Sequence, residues 1–253
     1  MLRRMRAIVL ALLLVVDAIA SANEAATTCS TTAATVSTYT ASTTSAAVIE
    51  YADCTTKVVR VLTASDGTTQ LDLSSKQIVY VKSLPSVMQL NLRSNSITQL
   101  QNVSIPSTVQ TLDLSKNSFT SLQNFAFPSS LTKFTASNGN LVSLYNISFP
   151  DSVTTLNLST NPIASIGGVV FPSSLKVLSI TSTVKLIEFE VRRTDATLFE
   201  SLQTFNVSTT TSLACSDSDA LVHYVQETLL CVLEDDVFNI KYGIKSESSA
   251  SGS

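Results

Sequence analysis

The residues able to do chemistry are few and scattered. His223 is the sole histidine, which leaves little choice of a histidine-based triad, and no serine sits in the Gly-x-Ser-x-Gly frame of a nucleophile elbow. Cys29, Cys54, Cys215 and Cys231 contain no Cys-x-x-Cys pair and have one histidine to draw on, which excludes the usual zinc spacings. Asp72 and Asp113 each stand in the middle of a Leu-Asp-Leu triplet, with Leu90-Asn91-Leu92 between them. If each triplet is a strand, the carboxyls lie about 9–10 Å apart, near the upper separation used by inverting glycosidases. Nothing in the sequence buries either one to raise its pKa, so both read as solvated strand residues. Glu234-Asp235-Asp236 lacks the spaced oxygens of a calcium loop and reads as a solvated acidic turn, and His223 as a surface residue of a C-terminal cap. No catalytic residue, metal or cofactor is assigned, and the chain is expected not to be an enzyme.

Modification chemistry is more evident. Asn102, Asn146, Asn157 and Asn206 each begin an Asn-x-Ser sequon. That matters only in an exported chain, and the N-terminus predicts export. Arg3, Arg4 and Arg6 precede ten uninterrupted apolar residues from Ala7 to Val16, and Ala20-Ser21-Ala22 supplies small residues for cleavage. Ten residues rise about 15 Å as a helix, half of a bilayer core, so residues 1–22 read as a secretory signal peptide rather than an anchor. No later run approaches membrane-spanning length, so no membrane insertion of the mature chain is expected. The cysteines agree with export: two lie on each side of the central region, which favours Cys29–Cys54 and Cys215–Cys231 pairing. A charged fraction of 14% with 39 Ser and 32 Thr suits a glycan-solubilised extracellular chain. A formal net charge of −3 gives no basic face for nucleic acid.

The middle of the chain is periodic. Pro106, Pro128, Pro150 and Pro172 are spaced by 22, and the aliphatic columns keep the same register. Val87, Val109, Leu131, Val153 and Leu175 form one column; Leu90, Leu112, Phe134, Leu156 and Leu178 the next; Leu92, Leu114, Ala136, Leu158 and Ile180 a third. Asn95, Asn117 and Asn161 share a further position, where the intervening unit has Gly139. An imperfect unit precedes these at Leu71-Asp72-Leu73, and two degenerate ones follow around Phe189 and Phe205. The unit L-x-x-L-x-L-x-x-N-x-I-x-x-L-x-x-V-x-F-P-S-S is the leucine-rich-repeat pattern.

The unit predicts its own fold. Leu-x-Leu alternation makes a short strand that buries the leucines, and one unit cannot cover its apolar side alone, so units must stack. Phe before Pro disfavours helix and favours an extended back side. The expectation is an α/β-class curved leucine-rich-repeat solenoid, with a parallel β-sheet on the concave face and mostly extended or short helical turns on the convex face. The asparagine column is structural, bonding backbone through both its oxygen and its nitrogen. Residues 23–57 read as a Ser/Thr-rich N-terminal cap with an O-glycosylated or loosely ordered lead-in, 58–210 as the repeats, 211–240 as the C-terminal cap and 241–253 as a flexible tail.

The outward strand positions are the candidate ligand-binding residues: Met88, Gln89, Asn91, Arg93, Gln110, Asp113, Lys116 and Lys133. Glycans on Asn157 and Asn206 would wall off the C-terminal half of that face, leaving the N-terminal half for binding. With one arginine and no aromatic, the face suits a polar or glycan ligand or a modest-affinity extracellular or cell-surface protein.

The Phe127-Pro-Ser-Ser-Leu131 and Phe171-Pro-Ser-Ser-Leu175 joints, the flanking cysteine pairs and the phenylalanine-rich run-out through Phe189, Phe199 and Phe205 carry a closer resemblance. Over roughly residues 54–236 the chain resembles the ectodomains of oomycete-type leucine-rich-repeat receptor-like kinases of the tyrosine-kinase-like group. In that family a transmembrane helix and a kinase follow; residues 1–253 hold neither, so the resemblance carries over the ectodomain alone. The expected function is a secreted, non-catalytic recognition module. The alternative is the sensing ectodomain of such a receptor whose membrane and kinase parts lie outside this chain.

Overall fold

The computed structural model describes residues 31–41, 44–100, 103–208 and 215–245; the signal-peptide region, Cys29, Asn102 and most of the expected tail lie outside them. The Ser/Thr-rich lead-in is not loosely ordered from Thr35 onward. Strands β1 (Thr35–Ala41), β2 (Thr44–Glu50) and β3 (Thr56–Arg60) form an antiparallel sheet. Ala34, Val36, Ala47 and Ile49 are buried against the rest of the protein, and that apolar spacing drives the segment into strands. Strands β4 (Leu62–Thr63) and β5 (Thr69–Asp72) follow, and β6 (Tyr80–Val81) pairs parallel with β1, joining this sheet to the next part of the chain.

From there the 22-residue units each contribute a short strand: β7 (Gln89–Asn91), β8 (Thr111–Asp113), β9 (Lys133–Thr135), then, after β10 (Ser143–Tyr145), β11 (Thr155–Asn157). After β12 (Ser165–Gly167) comes β13 (Val177–Ile180), and after β14 (Glu188–Arg192) comes β15 (Thr204–Val207). Strands β15, β13, β11, β9, β8, β7, β5 and β4 form one eight-stranded sheet, parallel except where β4 meets β5. Its register aligns Leu71, Leu90, Leu112, Phe134, Leu156, Leu178 and Phe205 in one row, each at most 7% exposed. Each such side chain contributes about 1.5–3 kcal/mol by burial.

A second mainly parallel sheet, called the second sheet below, goes beyond what the repeat pattern predicts. β10, β12 and β14 run parallel, aligning Leu144, Ile166 and Phe189, and β17 (Thr228–Leu233) continues the sheet, with β16 (Leu221–Val225) antiparallel at its edge. The back of the units is therefore extended, as Phe-Pro predicts. Of the two degenerate units, only Phe205 joins the long sheet; Phe189 belongs to the second. The step from Leu178 to Phe205 takes 27 residues instead of 22 because helix α1 (Arg193–Glu200) fills it. Helix α2 (Asp235–Tyr242) ends on Gly243, whose φ of 65° is the left-handed region that glycine takes without strain. The chain is thus mostly sheet with parallel strands dominating, two helices among the described residues, and no closed barrel.

The conserved-looking joints have a bonding logic. Pro106, Pro128, Pro150 and Pro172 each offer a carbonyl to the N–H three residues on, forming a tight turn. Ser130, Ser152 and Ser174 then donate their hydroxyls to two backbone carbonyls of the preceding unit, Ser152 to those of Ser129 and Leu131 at 2.7 and 2.6 Å. Phe127, Phe149 and Phe171 stack at 5.0 and 6.5 Å, and Phe199 of α1 extends the stack at 5.0 Å. The asparagine column behaves as expected: Asn117 donates to Leu92 and Leu114 carbonyls at 2.9 Å and accepts from the Ile97 N–H at 3.0 Å.

Candidate binding face

The outer face of the long sheet is built from the residues either side of each buried leucine. One row runs Gln70, Gln89, Thr111, Lys133, Thr155, Val177 and Thr204; the other runs Asp72, Asn91, Asp113, Thr135, Asn157, Ser179 and Asn206. Asp72 and Asp113 do share a row with Asn91 between them. Each carboxylate, like the Asn91 and Asn157 amides, bends back to accept the N–H two residues ahead: Ser74, Arg93, Ser115 and Ser159 at 2.8–3.0 Å. These side chains close the turn that ends each strand, a role Asx residues fill well. The turn then passes through a positive φ at Ser75, Ser94, Lys116, Asn138 and Thr160.

The predicted site residues are therefore sorted by the geometry. Gln89, Asn91, Asp113 and Lys133 are strand residues on the open face. Met88 and Gln110 stand just before their strands, and the Met88 carbonyl takes the N–H of Gln110. Arg93 follows its strand half-buried, and Lys116 is exposed at a left-handed turn position with φ 55°. These residues give the face amide, hydroxyl, carboxylate and ammonium groups in the regular register of the strands. Asn157 and Asn206 lie in the same row with Ser179 between them, Asn206 exposed and Asn157 half-buried. Asn146 is exposed at the end of β10, on the edge of the second sheet.

The C-terminal cap departs most from expectation. The Cys215–Cys231 disulfide is present; Cys54 is described, but its expected partner Cys29 is not. The Glu234-Asp235-Asp236 run, with Glu234 and Asp236 exposed, is the start of a helix and not a turn: Glu234 precedes α2 and pairs with Arg193, and Asp235 accepts from the Thr194 N–H and hydroxyl. His223 lies on β16 with Nε2 2.9 Å from Glu200 Oε1. Glu190 is buried and paired with Lys241 at 2.9 Å, and Lys241 also reaches Asp217. Burial works against the Lys241 ammonium, but its bonds to Glu190 and Asp217 outweigh that and hold its pKa above the usual lysine value. Burial, and then the neighbouring Glu190, push the Tyr242 phenol well above the usual tyrosine range. A half-open cleft of about 700 Å³ lies nearby, floored by Phe149, Phe171 and Leu198 and edged by Arg192, Asp195 and Asn239. Arg192 is committed to Asp195 through two 2.8 Å bonds, so it offers no free charge to a ligand. These features were hidden because the cap lacks the period; its one sequence signal is the β-branched and aromatic run Leu221-Val222-His223-Tyr224-Val225.

No group of His, Cys, Asp and Glu able to hold a metal occurs among the described residues, and no described helix is long and apolar enough to cross a membrane. No protein-family model matches the chain, and no curated protein matches it.

Proposed function

We propose that the chain is a leucine-rich-repeat solenoid, exported and non-catalytic, that recognises an extracellular or cell-surface protein or a polar or glycan ligand through the outer face of its long sheet. The observation that carries this reading is the in-register polar lattice of the two outward rows, laid over a continuous row of buried leucine and phenylalanine. A stack of this kind offers a broad rigid surface whose positions can vary without disturbing the core. The Cys215–Cys231 disulfide fits an oxidising compartment. The resemblance to receptor-kinase ectodomains points the same way. Binding is assigned to the N-terminal half of the face, around Gln89, Asn91, Arg93 and Lys133.

The test is saturable binding of the exported protein to intact cells and to secreted proteins of its source, with an Arg93→Glu/Lys133→Glu variant beside it. The variant, folded by thermal melt, is expected to lose at least ten-fold in apparent affinity. Equal retention of wild type and variant would remove the face from the recognition reading.

A further inference from the structure

The second sheet ends in an open edge. β16 pairs with β17 on one side and, among the described residues, with no strand on the other. Leu221, Val222 and Tyr224 on this edge are 59, 55 and 58% exposed. Proteins normally blunt such an edge with charge, proline or a bulge, because an apolar edge strand templates pairing with another chain. Residues 221–225 contain none of these. β16 and β17 are joined by the two-residue turn Gln226-Glu227, so Val225 and Thr228 form the closing hydrogen-bonded pair. Alternation along an antiparallel ladder then turns the N–H and C=O groups of Val222 and Tyr224 outward.

The surroundings select the occupant. Asp219 and Glu227 bracket the strand, both are exposed, and neither is ion-paired among the described residues. Beside the strand, between it and α1, is a pocket of about 160 Å³ bounded by Ala196, Thr197, Leu221, Val222 and Val232 and by the polar Arg193, Glu200 and His223, with space for one side chain. For a second copy of this chain, the symmetric antiparallel register centred on His223, which pairs Val222 of each copy with Tyr224 of the other, sets Asp219 beside Glu227 at both ends, and like charges opposed across strands repel. A segment with the opposite end charges meets no such penalty.

We propose that the free edge of β16 docks an extended peptide segment of another protein, with a β-branched apolar centre and a lysine or arginine at each end, which adds to the second sheet as a further strand. Main-chain bonds to Val222 and Tyr224 supply affinity, the pocket beside α1 selects one side chain, and Asp219 and Glu227 select the flanks. This surface is separate from the outer face of the long sheet.

The probe is a fluorescein-labelled nine-residue peptide, Lys-Lys-Val-Thr-Val-Thr-Val-Lys-Lys, capped at both ends and followed by anisotropy against the oxidised full chain. Two controls accompany it: the same peptide with glutamates for the lysines, and one with prolines for the central Thr-Val-Thr, which keeps the charge but removes the N–H groups of both alternating sets and cannot pair. The lysine-flanked peptide is expected to bind at least ten-fold more tightly than either. Val222→Pro removes one outward N–H and is expected to weaken binding ten-fold or more. Because that variant can also disturb β16 itself, Asp219→Lys/Glu227→Lys, which changes only exposed side chains, is expected to invert the preference between the two charged peptides. Arg93→Glu/Lys133→Glu is expected to leave peptide binding unchanged, so this proposal and the reading of the long sheet fail separately. No binding of the lysine-flanked peptide at millimolar concentration would overturn the proposal. So would equal binding of the proline control, insensitivity to the Asp219→Lys/Glu227→Lys exchange, or a dimer in sedimentation that Val222→Pro abolishes, which would give the edge to a second copy.

Discussion

Asn161→Ala is the sharpest perturbation of the bonding that holds neighbouring units together. Asn161 is fully buried. Its amide nitrogen donates to the Ala136 and Leu158 carbonyls at 2.8 Å, and its oxygen accepts the Gly139 and Leu141 N–H groups at 3.1 Å. Alanine strands all four backbone groups in the interior. A net hydrogen bond is worth about 1 kcal/mol, and a buried group left without one costs about 1–3 kcal/mol. Four groups set a loss of about 4 kcal/mol, with relaxation and entering water holding it near the lower end. Total stability for such a domain is about 5–15 kcal/mol, so the protein is expected to fold but with much of its margin gone. Urea unfolding followed by circular dichroism would read this as a lower midpoint at unchanged slope; at a slope of about 2–3 kcal/mol per molar, the midpoint falls by about 1.3–2 M. Native-state hydrogen exchange at the Gly139 and Leu141 amides should accelerate together. A loss below about 1 kcal/mol, with both amides still slow, would refute the claim that the asparagine column carries stability.

Leu156→Asp places a charge in the row between Phe134 and Leu178, at a cost of several kcal/mol, and should abolish yield of folded protein; a protease-resistant soluble variant would refute the register. At alkaline pH the cap should loosen. Lys241 and Tyr242 both have folded pKa values raised above their unfolded ones, so their contributions are complete below about pH 10 and decline as pH rises past it. Thermal midpoints should therefore hold to about pH 10 and then drop, and Lys241→Met should remove the lysine share of that drop. Replacing both Cys215 and Cys231 by serine opens a loop with a sequence separation of 16, which should cost about 3 kcal/mol in chemical unfolding. Protein made in a eukaryotic secretory host should lose mass on enzymatic deglycosylation. Asn146→Gln and Asn206→Gln should each remove one glycan, whereas Asn157, half-buried with its oxygen engaged by the Ser159 N–H, should carry little.

What the sequence revealed tracks what repeats. The alignment of Leu90 with Leu112, and of Leu156 with Leu178, follows from period alone, because a strand position fixed in one unit is fixed in the next. The asparagine column was legible because that residue type carries both a donor and an acceptor at the strand exit. Other elements depend on contacts far apart in the chain. β1 and β2 are largely Ser, Thr and Ala, and the apolar residues whose spacing makes them strands, Val36, Ala47 and Ile49 among them, are few and small, so the local trace is faint. Phe189 looked like another leucine of the long sheet, but the 27-residue step and α1 place it in the second. On the binding face, Asp113 and Asn91 were read as free surface, whereas their oxygens are spent on the turns that follow them, a use visible only once the backbone is in place.

The direction of the serine and asparagine bonds has a consequence for how the protein is made. Ser152 reaches back to carbonyls at 129 and 131, and Asn117 and Asn161 reach back to groups at 92 and 136. Each newly synthesised segment thus brings its serine and asparagine fasteners to a surface already laid down, while strand N–H groups such as that of Leu92 are taken up by the next unit, here by the Asp113 carbonyl. The chain can zip from its amino end as it emerges, with the disulfide-bearing cap arriving after the repeats to cover their exposed end.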